Sequence, residues 1–392
     1  MKVDWENWSG SQIHKVKEKK LPHSEDELSE ILIQAANQEH TVRTIGSGHS
    51  FVPFWTDDTL ISLDNMKGLI DCDPENKLAT FWAGSKLNEI GDVLWREGLA
   101  MENMGDIDRQ SIAGAVSTGT HGTGQGLRNI SSQIDSLHLM EAGGQLRSIN
   151  GAGSQKELLD AARVSFGSLG IITQLTLKLV PAYYLHERNW SLSVEACGEN
   201  LENLINENRH LEFFWDPQAD RCLMKSLNVS SQNEEKKISE SESVGRSYRI
   251  FPTDRDLRFN ETEFTVDAEQ GWDCFLEIRE LIQKKHPKVR WPLEYRTLKA
   301  DTALLSSTTQ KDSVTISAHE GHQRDYQYYF SDVEGIFRQF AARPHWGKIH
   351  LYEYGDFQRV MPQFQRFCEI RKQFDPRGRF LNPFLKRIFG ID

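Results

Sequence analysis

Apolar positions recur at helical spacing first at Leu28, Ile31, Leu32 and Ala35, behind Ser24 and Glu27, which form a capping-box pair. The pattern predicts an amphipathic helix over 24–38. The next run, Thr41-Val42-Arg43-Thr44-Ile45, alternates and is β-branched, then stops at Gly46, so His49 is expected on a loop just past a strand end. A second unit repeats the plan with a strand near 77–83, Ser85 as cap, a helix to Gly98 and a loop region over 105–124. Further strands are predicted over 134–140 and 171–179. In the latter Ile172, Leu175, Leu177 and Leu179 alternate until Pro181 ends the run. This alternation predicts an α+β fold, and a first domain that closes near residue 181.

From about 182 to 340 the chain becomes aromatic-rich and charged. The stretch SSQNEEKKISESES at 230–243 is too polar to pack and is expected to be an exposed, mobile loop. No repeat of fixed period occurs. At 392 residues the chain is long for one core and suggests two domains. A net charge of −11 without a basic stripe argues against nucleic acid or an anionic membrane as partner. Five scattered cysteines, with no C-x-x-C pair, imply neither a disulfide framework nor a zinc site, and no other metal site is expected. The N-terminus has no apolar h-region, and no run of about 18 apolar residues occurs, so a soluble cytoplasmic protein without a membrane span is expected.

Two loops change the picture: GSGHS at 46–50 and GDIDRQSIAGAVSTGTHGTG at 105–124. Glycine permits positive φ and leaves no Cβ in the way, so successive N–H groups can converge on an anion while Ser and Thr add donors. Neither G-x-x-x-x-G-K-[ST] nor a strand-borne G-x-G-x-x-G is present, which disfavours a P-loop or a Rossmann site. Either loop alone would also suit a tight turn in a β-rich domain.

Taken together, GSGHS, SIAGAVSTGTHGTG at 111–124, FGSLGIITQLTL at 166–177, Glu294-Tyr295-Arg296 and PHWGK at 344–348 resemble the aldonolactone oxidase and alditol oxidase group of the vanillyl-alcohol-oxidase flavoproteins. The match runs in order from Trp8 nearly to the C-terminus. The resemblance implies a two-subdomain FAD-binding domain of the p-cresol-methylhydroxylase (PCMH) type over 1–181. It also implies a substrate cap over 182–343, built on an antiparallel sheet with flanking helices, and a C-terminal segment, 344–392, that returns to the FAD domain. The implied activity is oxidation of a sugar-derived hydroxyl, most simply an aldono-1,4-lactone of the L-gulono or D-arabinono type, with hydride passing to flavin N5 and O2 reduced to hydrogen peroxide. The alternatives are an alditol oxidase, an aldonolactone dehydrogenase with another acceptor, or a non-catalytic flavin- or sugar-binding protein.

The same resemblance assigns roles. His49 is implied to carry FAD covalently through its 8α-methyl, which would make the flavin a stronger oxidant. Gly46, Ser47, Gly48, Ser50, Ser111, Gly114, Thr118, Thr120, Gly122 and Gly124 are expected to cradle the pyrophosphate and ring. Gly167, Ser168, Gly170 and Ile172 are expected on the adenine and ribose side, while His121 reads equally as a structural loop residue. Gly105 is implied to lie against the flavin, where a missing methyl opens a path for oxygen, although it reads nearly as well as a turn glycine. Asp106 stands where alditol oxidases have a substrate-touching serine. Glu294 and Arg296, two apart, share a face if the segment is a strand, and Arg296 and Lys348 are implied to hold negative charge at the substrate oxygen and the flavin. His345 and Trp346 are expected to shape the wall. His319 aligns where several aldonolactone oxidases carry histidine, and is expected to contact substrate or act as base.

Overall fold

The computed structural model describes residues 3–253 and 257–391. After an antiparallel pair of strands, Val3–Glu6 with Ile13–Val16, comes a small parallel sheet of β1 (Glu18–Lys20), β2 (Val42–Ile45) and β3 (Thr59–Ser62) in the order β1-β3-β2. Helix α1 (Glu25–Asn37) connects β1 to β2 and buries Leu28, Leu32 and Ala35. Ser24 Oγ accepts from the Glu27 N–H at 3.1 Å, whereas the Glu27 carboxylate accepts from His23 N rather than from the cap residue.

Five antiparallel strands form the second sheet: β4 (Leu69–Asp73), β5 (Leu78–Trp82), β6 (Ile134–Met140), β7 (Leu146–Asn150) and β8 (Ile171–Lys178), in the order β7-β6-β8-β5-β4. Two of the expected details change. Helix α2 (Leu87–Arg96) has Lys86, not Ser85, at its N-cap, because the Ser85 hydroxyl is taken up by the carbonyl of Trp82 and the N–H of Gly68. Nor is 105–124 loop throughout: Ile112–Thr118 forms helix α3, which buries Ile112, Ala115 and Val116 and ends at Gly119 with φ +76°. Small residues suit this helix because it lies close to the sheet.

The largest layer is a nine-stranded antiparallel sheet of β9 (Tyr184–Ser193), β10 (His210–Asp216), β11 (Arg221–Val229), β12 (Lys236–Lys237), β13 (Glu242–Arg246), β14 (Phe259–Asp267), β15 (Leu293–Leu298), β16 (Ser313–Gly321) and β17 (Arg343–Pro344). Their order is β12-β13-β9-β11-β10-β15-β16-β14-β17. One face carries Phe213, Tyr295 and Phe264, which pack on Phe275 of the helix Gly271–Lys285 and on Phe337 of the helix Gln327–Gln339. The other face is also covered, so every residue of β15 is buried. Because side chains alternate, that second face presents Glu212, Glu261, Glu263, Glu294, Arg296 and His319, all buried.

Of the stretch 230–243, residues 231–241 are exposed as expected, but it is not a plain loop: Lys236–Lys237 pairs with β13 at the edge of the sheet, and Glu242 and Ser243 belong to β13 itself. The tail returns to the first sheet, where the Arg379 carbonyl accepts from Val42 N at 2.8 Å and Asn382 Nδ2 donates to the Trp55 carbonyl at 2.7 Å. No helix among the described residues is long and apolar enough to cross a membrane.

Candidate functional site

The GSGHS loop leaves β2 and is held on three sides. Trp8 N donates to the Gly48 carbonyl at 2.8 Å and Asn7 Nδ2 to the Ser50 carbonyl at 2.9 Å, while Phe51 N donates to the Gly347 carbonyl at 2.8 Å. Ser47 Oγ donates to the Arg109 carbonyl at 2.6 Å and accepts from Lys86 Nζ at 3.0 Å. Residues far apart in sequence therefore fix one tight turn, in which Gly48 has φ +74°. A Cβ on Gly46 would run into Ser111 Oγ, so this glycine permits the loop to close on the start of α3.

Behind the loop lies a cleft of about 1020 Å³, open to solvent at one side. Its walls are largely backbone and small side chains, among them Gly46, Ser47, Gly48, His49 and Ser50, Ser111, Gly114 and Thr118, and Gly167, Gly170 and Ile172. Buried Arg43 braces the far wall by donating to the carbonyls of Phe54 (3.0 Å), Phe166 (2.6 Å), Gly167 (3.3 Å) and Phe380 (2.8 Å). The fit to an extended dinucleotide with an anionic middle is good: glycine-rich backbone, hydroxyls on a helix start, and few side chains to exclude it.

A second cavity of about 670 Å³ sits between this wall and the polar face of the large sheet. His49, Ser50, Gln110 and Thr118 line both cavities. His49 therefore stands at the neck. Its Nδ1 is buried without a hydrogen-bond partner, and burial, aided by Lys348 and Lys86, lowers its pKa to about 4. The ring is thus a neutral imidazole with an unused nitrogen, which suits attachment of an electrophilic group.

The second cavity is charged. Arg296 donates through Nε to Glu212 at 2.8 Å and pairs through Nη2 with Glu294, with Asp106 3.9 Å away. Lys348 pairs with Glu261, the cross-strand partner of His319. His319 Nδ1 lies 3.0 Å from the Pro292 carbonyl, so in the neutral ring Nδ1 carries the proton and Nε2, 3.7 Å from Glu261, is the basic nitrogen. His121 Nε2 is 2.5 Å from Glu263 and its Nδ1 2.9 Å from the Gly122 carbonyl. Burial alone would raise the Glu263 pKa, but His121, His345 and Lys348 hold it well below the usual range. Glu261 is lowered by Lys348 and His319 against the same burial. His345 goes down to about 4, driven first by burial.

The structure thus brings together Asp106, Glu294, Arg296, His319 and Lys348, joined by Thr120, His121 and His345. Five expected contacts depart from this. Trp346, expected in the wall, lines neither cavity: it is buried, with its Nε1 donating to the Leu305 carbonyl and its ring stacked on Phe357. Gly122 and Gly124 line neither cavity. A Cβ at 122 would strike the Met104 carbonyl, and Gly124 bridges to Leu298 at φ +136°, so both serve chain packing. Ser168 is fully buried away from the cleft. Gly105 lines neither cavity either: a methyl there would sit 2.8 Å from Thr120 Cγ2, so it would act through Thr120. Glu212, Glu261 and Glu263 were not anticipated. Their signal was a carboxylate inside a strand: Glu261 and Glu263 at alternate positions of FNETEFTVD, and Glu212 between Leu211 and Phe213 in HLEFFWD.

Two family models match the chain: an FAD-binding domain over residues 20–150 and D-arabinono-1,4-lactone oxidase over 175–244 and 235–388. The L-gulono-1,4-lactone dehydrogenase of Mycobacterium tuberculosis is 32% identical over 427 aligned residues, covering 98% of this chain and 99% of that protein. The L-gulonolactone oxidase of Mus musculus is 27% identical, covering 99% and 98%. Among solved structures, cholesterol oxidase from Brevibacterium sterolicum superposes with a TM-score of 0.84 at 14% identity, over 99% of this chain and 97% of that one. This last likeness is one of fold.

Proposed function

The chain belongs to the D-arabinono-1,4-lactone oxidase family, and from that premise we propose how its two cavities divide the oxidation of an aldono-1,4-lactone. It is an FAD-dependent oxidoreductase acting on CH–OH groups. The names of its relatives point to L-gulono- and D-arabinono-type lactones as substrates and not to polyols. In our reading residues 1–181 bind FAD, 182–343 cap the substrate, and 344–392 return to brace the cofactor loop.

The observation that carries this reading is the place of His49: a neutral ring with an unpartnered buried nitrogen, at the neck between a backbone-lined cleft and a charged cavity. We assign the cleft to FAD, with His49 as its covalent attachment, and the cavity to the lactone. FAD supplies the acceptor for the carbinol hydride. The chain supplies the rest. His319 Nε2 takes the proton of the C2 hydroxyl, and Glu261 beside it stabilises the imidazolium that results. Arg296 and Lys348 hold the charge that the oxygen gains as its proton leaves, before hydride departure turns it into a carbonyl. The cap sheet and the wall behind it exclude water and orient the ring, which supplies much of the acceleration. The 2-keto lactone then enolises to an enediol.

Oxygen as the final acceptor is our first choice, with hydrogen peroxide as product. A dehydrogenase using another oxidant is the second reading, favoured by the name of the mycobacterial relative. The test is to precipitate one portion of the purified protein with acid and to assay another, native portion in air with L-gulono-1,4-lactone, D-arabinono-1,4-lactone and xylitol. Yellow colour kept in the pellet and lactone-dependent peroxide are expected. Colour released to the supernatant would remove the His49 linkage, lactone turnover only with an added dye would favour the dehydrogenase, and a preference for xylitol would overturn the substrate.

A further inference from the structure

Arg296 does not stand alone on its sheet. It lies directly across from Glu212 on β10, and Glu212 in turn lies directly across from Lys225 on β11. Three adjacent strands thus carry a cation, an anion and a cation in one row. Cross-strand neighbours of this kind are in contact distance by geometry. One Glu212 oxygen accepts from Arg296 Nε at 2.8 Å, and the other lies 3.6 Å from Lys225 Nζ. Glu212 is 3% exposed and Lys225 8%. Of the three only Arg296 reaches the cavity.

Burying this row has a cost that apolar residues would avoid, since each charge must be taken from water. Burial does oppose the Lys225 charge, yet Glu212, Asp106 and Glu187 outweigh it and raise its pKa, so the ammonium is kept. The far end is closed by Glu187 at 3.7 Å and by the Phe251 carbonyl, which accepts from Lys225 at 3.4 Å. An interior strand that needed only to pack would not place a lysine here.

We propose that Glu212 and Lys225 are positioning residues that set the plane and the charge of the Arg296 guanidinium for the oxidation step. Glu212 holds Nε by a hydrogen bond while Glu294 pairs ionically with Nη2, so two of the three nitrogens are restrained from the sheet. Lys225 shares the Glu212 carboxylate, which therefore neutralises less of the Arg296 charge. The donor facing the substrate oxygen stays strong and stays still, as stabilisation of developing charge requires. The role in oxidation rests on the lactone reading above, whereas the positioning of the guanidinium does not.

The test compares the parent holoenzyme with Lys225→Met, Lys225→Arg and the double variant Glu212→Gln/Lys225→Met, which removes one charge of each sign and remains foldable where Glu212→Gln alone strands a lysine. Flavin reduction at saturating lactone should fall roughly 30-fold in the double variant and about 5-fold in Lys225→Met, and recover in Lys225→Arg. Binding of the 2-deoxy lactone, which lacks the reacting hydroxyl, should stay within about threefold of the parent because ground-state contacts are unchanged. Independently of turnover, modification of Arg296 by butanedione, mapped by mass spectrometry, should speed up about tenfold in the double variant as the guanidinium loosens. An unchanged reduction rate, or a loss shared equally by 2-deoxy lactone binding, would overturn the role in oxidation. Unchanged modification would overturn the positioning itself. Failure of the parent to be reduced by any lactone would instead sink the lactone reading, with the butanedione result still deciding the ladder.

Discussion

The two cavities that meet at His49 are built by opposite means. The cleft we assign to FAD is walled by backbone and by Gly, Ser and Thr, its long side chains turned to structural work as in Arg43. The cavity we assign to the lactone is walled by charged side chains from one sheet face and the loops facing it, many of them paired: Arg296 with Glu212 and Glu294, Lys348 with Glu261, His121 with Glu263. Many weak backbone contacts tolerate the loss of one. A few charge pairs held in low dielectric do not, because removing one partner leaves the other buried and uncompensated.

That contrast sets the order of expected effects. Lys348→Met should be the most damaging, with turnover down about 10³-fold, since it removes a donor at the developing charge and strands Glu261. Steady-state assay with bound FAD confirmed by its spectrum checks this, and turnover within tenfold of the parent would break the comparison. His49→Ala should cost less, about tenfold. The cleft should still bind FAD through its other walls, so the yellow colour should survive gel filtration yet move to the supernatant on acid precipitation. Loss of all FAD from this variant would show that the cleft depends on one side chain after all. Gly105→Ala should do less still: its methyl displaces Thr120, which lines the lactone cavity, so we expect changes of about threefold in the oxygen reaction and in lactone binding.

The same contrast explains what could be read from the chain in advance. The cleft is made of contiguous segments, and Gly46 to Ser50 or Ser111 to Thr118 announce themselves by composition. The strands were legible where one face is polar and the other apolar, and β6 has the boundaries expected, Ile134–Met140. Helix α3 was hidden because Ala, Gly, Ser and Thr carry little periodic signal, and because its need is close approach. The charged cavity was legible only where resemblance pointed to Asp106, Glu294, Arg296, His319 and Lys348. Glu212, Glu261 and Glu263 are brought to it by strand register across distant segments, which no local pattern encodes. A carboxylate inside an apolar strand is the one local trace, and it marks burial of a charge without naming its partner.

The smallest effect sharpens the comparison from outside both cavities, at His350, five residues beyond His345. His345 lines the charged cavity, where Gly347 N donates to its Nδ1 at 3.1 Å. His350 is 5% exposed, packed against Tyr352, Phe357 and Phe384, and neither ring nitrogen has a partner. Burial first, then Arg387 and Arg338, lowers its pKa to about 3. The unfolded chain, with a histidine pKa of about 6.5, binds the proton more readily, so the folded state loses stability as pH falls from about 6.5 toward 3. His350→Leu abolishes that dependence. Relative to the parent, the variant should gain roughly 1 kcal/mol per pH unit below about 6, and little above 7, with turnover at neutral pH unaltered. Thermal melts of both proteins at pH 7.5, 6 and 5 decide it: a gap that fails to widen toward acid would mean that His350 takes up its proton in the folded state as readily as in the unfolded one.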